Sequence, residues 1–149
     1  MNTTISDSMT ESARGLHVAV WSPYKPLEKE LCKLISTVQG VEVLHNLDLG
    51  QFLRETHPDC VDIAVIEVDQ APGGAYHLVA ELCRSAPKTK VIALSTHRDQ
   101  RIVWNTLRAG AIAYVLKDCA FEDVPRALRA AVLGQRFLSP ALELDGGIQ

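Results

Sequence analysis

The sequence predicts an α/β chain: a doubly wound, five-stranded parallel sheet between two layers of helices. Three observations predict it. Short apolar runs alternate strictly with segments of helical periodicity. The runs are almost continuously apolar, the pattern of strands covered on both faces. Glycines and prolines fall between the segments and punctuate them.

The elements follow in order. "LHVAVWS" (16–22) is apolar and partly β-branched, a first strand. "KPLEKELCKLISTVQG" (25–40) carries Leu27, Leu31, Leu34 and Ile35 at helical spacing; Pro26 suits a first turn and Gly40 a C-terminal cap. "VEVLHN" (41–46) is a second strand. "LDLGQFLRETH" (47–57) places Leu49, Phe52 and Leu53 on one face of a second helix, weakened by Gly50. "VDIAVIE" (61–67) is the third strand, after which Pro72, Gly73 and Gly74 break the chain. "YHLVAELCRSA" (76–86) is a third helix with Leu78, Val79 and Leu82 inward, ending near Pro87. "KVIALST" (90–96) is the fourth strand, and "RDQRIVWNTLRAG" (98–110) a fourth helix with Val103 and Leu107 inward and Gly110 at its end. "AIAYVLKD" (111–118) is the fifth strand. "FEDVPRALRAAVLGQ" (121–135) is a fifth helix with Val124, Leu128, Ala131 and Val132 inward, and Pro125 is expected in its first turn. Five β–α units in strict alternation make a flavodoxin-like (βα)5, three-layer α/β/α domain. Its bounds are 16–140, between an N-terminal tail (1–15) expected to be flexible and a short C-terminal tail (141–149).

Composition narrows the function. A chain of 149 residues with 47% apolar and 22% charged residues fits one domain with a real core. A net charge of −3 gives no general grip on nucleic acid. No apolar run approaches the roughly 18 residues of a membrane span, and the polar N-terminus lacks the order of a signal peptide. Cys32, Cys60, Cys83 and Cys119 form no C-x-x-C pair and read as reduced thiols of a cytoplasmic protein. The five histidines show no metal-binding spacing.

In doubly wound sheets, function gathers beyond the carboxyl ends of the strands. Strand 1 ends in Ser22-Pro23, strand 3 in Glu67, strand 4 in Ser95-Thr96 and strand 5 in Lys117-Asp118. A buried carboxylate needs a partner, so a Glu67–Lys117 contact is expected. "SPYK" (22–25) fits S-x-x-K, and "STHRD" (95–99) holds a hydroxyl, a histidine and an acid. Neither forms a nucleophile elbow, so hydrolase chemistry does not follow. The turn after strand 1 is not glycine-rich, which argues against nucleotide binding.

"AGAIAYVLKD" (109–118), then a helix, then "LGQRFLSP" (133–140), carries a resemblance. Over residues 16–140 the chain resembles the CheY-like receiver domain of bacterial response regulators, most of all receivers that precede a LuxR/FixJ-type DNA-binding domain. The resemblance implies phosphoryl transfer from a histidine kinase to an aspartate ending strand 3. It also implies magnesium held by that aspartate and an acidic pair ending strand 1. A Ser/Thr ending strand 4 and a lysine ending strand 5 would bind the phosphoryl oxygens, and an aromatic residue of strand 5 would swing inward behind the Ser/Thr.

Carried over by position, the match is partial. Lys117, Ser95 and Tyr114 fall on the lysine, hydroxyl and aromatic-switch positions. Ser22 and Pro23 fall where the acidic pair belongs, and Glu67 where the phosphoacceptor belongs. Magnesium sheds water reluctantly and needs carboxylates to offset the cost. Without it, charge on a transferring phosphoryl group goes unneutralised. The expectation is a variant receiver with no magnesium, no cofactor and no catalysis, which works independently of phosphorylation. Glu67 is then either a fixed anion reaching toward Lys117 and Ser95 in partial imitation of a phosphoryl group, or only the structural partner of Lys117. Two alternatives stay open: a phosphoacceptor receiver using Glu67 or Asp69, and a pseudo-receiver sensing a small ligand in the vacated acidic pocket. Asp69 lies three residues before Pro72 and Glu67 five, which straddles the family's spacing of about four.

Contact residues are expected on two faces. Trp104, flanked by Arg101 and Arg108, should project sideways or outward from the fourth helix; Trp and Arg are common anchors at interfaces. Leu133, Phe137 and Leu138 add apolar surface near the end of the fifth. The resemblance implies a protein partner or homodimer through the fourth helix, fifth strand and fifth helix, or through the first and fifth helices. It also allows a DNA-binding domain in a longer natural chain; direct nucleic-acid binding by these residues alone is not expected.

Overall fold

The apolar runs become β1 (Leu16–Trp21), β2 (Val41–Leu44), β3 (Ile63–Glu67), β4 (Lys90–Ser95) and β5 (Ala113–Leu116) in a computed structural model that describes residues 15–44, 61–71 and 73–143. The second predicted helix, with Leu49, Phe52 and Leu53, lies outside the described residues, as do Cys60 and Pro72. The sheet order is β2-β1-β3-β4-β5-β6, with every pair parallel. The sixth strand, β6 (Phe137–Leu138), was not foreseen, because two residues carry no periodicity. It pairs Phe137 with Ala113 and Leu138 with Tyr114. Ser139 continues the edge: its N–H donates to the Tyr114 carbonyl at 3.0 Å, and its hydroxyl accepts from Leu116 N–H at 2.9 Å.

Four helices cover the sheet among the described residues: α1 (Lys25–Ser36), α2 (Gly74–Ser85), α3 (Gln100–Arg108) and α4 (Ala120–Val132). The last two are the fourth and fifth predicted helices. Leu31 and Ile35 of α1 are buried, with Leu27 and Leu34 half-buried. Gly40 does not cap α1. The helix stops at Ser36, where the Ser36 and Thr37 hydroxyls donate to the Cys32 and Leu34 carbonyls, each at 2.6 Å. Gly40, at φ +85°, turns the chain into β2 instead, and its carbonyl accepts from Leu16 N–H. The Asp99 carboxylate caps α3 through Arg101 N–H at 2.8 Å. Gly110 ends that helix at φ +125°; a Cβ there would lie 2.6 Å from Cys83 Sγ, so the glycine permits the close approach of α3 to α2.

Two expectations about α4 are corrected. A short 3-10 turn, Lys117–Cys119, leads into it, and the helix begins at Ala120. Pro125 is therefore its sixth residue, not part of the first turn, and leaves the Phe121 carbonyl without its i+4 donor. Val132 lies on the apolar stripe but is 54% exposed, because the last turn of α4 overhangs a groove lined by Leu16, Val38, Val41, Leu128 and Leu133.

Alternation along the strands divides the core in two. Val18, Val65, Ile92 and Val115 face α1 and α4; Ala19, Ile66, Ala93 and Tyr114 face α2 and α3. Strand order reverses between β1 and β3, the switch point at which such sheets place their sites. No helix of the described residues is long and apolar enough to cross a membrane. Cys32, Cys83 and Cys119 are free thiols, and burial raises the pKa of Cys32, with the Glu28 charge adding to it, and of Cys83.

Candidate functional site

Register builds the site. Trp21 pairs with Ile66, so the next residues, Ser22 and Glu67, emerge side by side at the rim. The Ser22 hydroxyl donates to Glu67 Oε1 at 2.7 Å, and its oxygen accepts from Tyr24 N–H at 3.1 Å. Lys117 follows β5 and sets its Nζ 3.2 Å from Glu67 Oε2, the contact anticipated from the strand ends. Glu67 is 2% exposed, and each of its carboxylate oxygens is engaged.

Ser95 does not serve Glu67, as the sequence suggested. Val68 continues β3 by donating its N–H to the Leu94 carbonyl, which carries Asp69 to the end of β4. There the Ser95 hydroxyl donates to Asp69 Oδ1 at 2.5 Å. Thr96 donates to Oδ2 through its backbone N–H at 3.0 Å and its hydroxyl at 2.8 Å. Lys117 Nζ lies 3.6 Å from Oδ2, and His97 Nε2 lies 3.8 Å from Oδ1. Burial pushes the Asp69 carboxyl up, but the bonds from Ser95 and Thr96 and the Lys117 charge outweigh it and hold the group below its ordinary value.

Tyr114 is fully buried and points inward, on the α2–α3 side. Its hydroxyl donates to the His97 carbonyl at 2.7 Å. Burial raises its pKa; the Ser95 hydroxyl opposes this, and the Asp69 and Asp99 charges add to it.

Pro23 is exposed at the mouth of the site. Beside it, Glu28 folds back from the first turn of α1. Its Oε2 accepts from Ser22 N–H at 2.9 Å and from Lys25 Nζ at 3.2 Å. Among the described residues, no group of three or more His, Cys, Asp or Glu side chains is placed to hold a metal ion. No buried side-chain nitrogen or oxygen among them lacks a hydrogen-bond partner. The cluster is a closed polar network in which anionic oxygens are already held by donors. Sequence reasoning missed Glu28 and Thr96, and it passed over His97 as part of a chance pattern. The polar "STH" directly after a buried strand was the available signal.

The expected contact residues lie apart from this rim. Trp104 is half-buried against the α2–α3 core, while Arg101 and Arg108 are exposed. Leu133 is 70% exposed at the end of α4, and Phe137 is half-buried in β6.

No family model matches the chain. Sequence comparison finds response regulators. GacA of Pseudomonas aeruginosa is 26% identical over 116 residues, 75% of this chain and 53% of that protein. UvrY of Escherichia coli K12 is 22% identical over 108 residues, 72% of this chain and 50% of that protein. The chain thus spans about half the length of these curated relatives. Among solved structures, the RcsB response regulator of Salmonella typhimurium superposes with a TM-score of 0.76 at 18% identity. The match covers 86% of this chain and 67% of that one. The homologues are response regulators, and the fold is that of their receiver domains.

Proposed function

From a receiver fold shared with response-regulator homologues, we propose that residues 16–140 form a phosphorylation-independent receiver domain. It acts by protein–protein contact in signal transduction or transcriptional control, and it catalyses nothing. The observation that carries this reading is the state of the acceptor position. Glu67 is 2% exposed, with one oxygen on the Ser22 hydroxyl and the other facing Lys117. A carboxylate so engaged has no free oxygen aimed outward for in-line attack. Asp69, the alternative acceptor, has both oxygens occupied by Ser95 and Thr96.

The same residues speak against resident magnesium. Ser22 offers only a neutral hydroxyl oxygen, which already accepts from Tyr24 N–H, and Pro23 has neither a side-chain ligand nor an N–H. Glu28, beside Pro23, is held by Ser22 N–H and Lys25. A hard cation that keeps most of its water needs more uncommitted anionic oxygen than this.

Partners would meet the surface of α3, β5 and α4, or that of α1 and α4, and the partner is a second copy or another protein. A DNA-binding domain in a longer natural chain and a cytoplasmic location belong to the same reading.

The test is titration of the chain with beryllofluoride or acetyl phosphate in the presence of magnesium, followed by tryptophan fluorescence and intact mass. The expected result is no saturable change and no added mass. A saturable response abolished by Glu67→Gln or Asp69→Asn would sink the reading in favour of a phosphoacceptor.

A further inference from the structure

We infer that Ser95, Thr96 and Lys117 form an oxyanion site whose ligand is supplied by the chain itself, the Asp69 carboxylate, and that this internal ligand fixes the β4–α3 connection and the inward Tyr114. The inference rests on the phosphorylation-independent reading and names the group that makes an external phosphoryl unnecessary.

Three kinds of donor converge on one carboxylate. The Ser95 hydroxyl, the Thr96 N–H and hydroxyl, and the Lys117 ammonium all face Asp69. They come from the ends of two adjacent strands, β4 and β5, while the anion comes from beyond β3. Charge-assisted bonds of this kind are short and strong, and the 2.5 Å Ser95–Asp69 distance is of that class.

The network does not stop at the anion. The Ser95 oxygen that donates its proton to Asp69 also accepts from His97 N–H at 3.0 Å. The His97 carbonyl in turn accepts from the Tyr114 hydroxyl at 2.7 Å. An unbroken chain of three hydrogen bonds and one residue's backbone therefore runs from Asp69 through Ser95 and His97 to a buried aromatic ring of β5. Ser95 and Tyr114 are both fully buried, so each needs these partners. With the carboxylate removed, the Ser95 hydroxyl loses its acceptor and Thr96 two bonds, and the segment that holds the tyrosine carbonyl partner loses its anchor. Glu67 cannot replace it, because its oxygens face Ser22 and Lys117.

The site thus takes a planar or tetrahedral oxyanion, and the chain fills it. Asp69→Ala should open it to a small carboxylate from solution. The experiment records Thr96 and His97 amide shifts and the Tyr114 ring signals by NMR. It compares the full chain with Asp69→Ala, with and without added formate. The expected result is loss of the downfield Thr96 shift and a changed Tyr114 ring environment in Asp69→Ala, with saturable restoration by formate and no response to formate in the parent chain. Should Asp69→Ala fail to fold, Asp69→Asn decides: it keeps the volume without the charge, and the Thr96 and Tyr114 signals should still move. Signals unchanged in either folded variant, or a folded Asp69→Ala that formate does not restore, would overturn the inference. That failure is distinct from failure of the underlying reading, which a saturable beryllofluoride response of the parent chain would mark.

Discussion

Ser22 sits between two carboxylates and gives each a proton donor, its hydroxyl to Glu67 and its N–H to Glu28. Ser22→Ala removes the donor to a buried oxygen and the acceptor for Tyr24 N–H. It should cost about 1–3 kcal/mol in urea unfolding, the range for an orphaned buried polar group. Ser22→Asp should cost more at neutral pH, because a second carboxylate would stand within hydrogen-bond distance of Glu67. The gap to Ser22→Ala should narrow on acidification, as one member of such a pair protonates at a raised pKa. Asp69 has the opposite sign. Its folded pKa is lowered despite burial, so its stabilisation is full above the unfolded value, about 3.9, and is lost as pH falls through the lower folded value. Below about pH 4, therefore, the parent chain should lose stability faster than Asp69→Asn in unfolding measured by circular dichroism. At this scale the sequence was half legible. Ser22, Glu67 and Lys117 lie at the ends of strands whose apolar runs announce them, and parallel register brings them together. Asp69 lies two residues past β3, where the path of the chain decides its partners, so its bonds to Ser95 and Thr96 could not be read. Glu28 resembled any solvated acid in a first helical turn.

Elements were legible wherever apolar periodicity ran for several residues. The five strands and the described helices formed where the pattern put them, while their ends depended on single hydrogen bonds. Hydroxyls at Ser36 and Thr37 stopped α1 before Gly40 could, and the 3-10 turn moved the start of α4. Pro125 lies inside that helix whether it is counted from Ala120 or from Phe121, and it removes one backbone bond to Phe121. An interior proline costs about 3 kcal/mol, partly offset by the 0.4–1 kcal/mol, roughly, that its ring takes from the unfolded chain. Pro125→Ala should therefore stabilise the protein by about 2 kcal/mol, read as a higher denaturation midpoint at unchanged slope. A midpoint that stays or falls would mean that α4 already accommodates the missing bond.

At the scale of the molecule, two apolar cores flank one sheet and the polar network crowns it at the β1–β3 switch point. The opposite end is less well covered. There α4 overhangs its groove, leaving Val132 54% and Leu133 70% exposed beside Leu16, Val38 and Val41. Adjacent exposed apolar side chains beside an apolar groove offer area that a partner would remove from water. The other expected face offers less: Trp104 is half-buried against the core, and Arg101 and Arg108 are exposed charges. If a second copy covers the α1–α4 end, Leu133→Asp should convert a dimer to a monomer in light scattering. The monomer's stability should stay within about 0.5 kcal/mol, since an exposed position contributes little to folding. Arg101→Ala with Arg108→Ala should leave the mass unchanged. A dimer that survives Leu133→Asp and dissociates with the arginine pair would move the interface to α3, and with it the face through which this receiver would meet its partners.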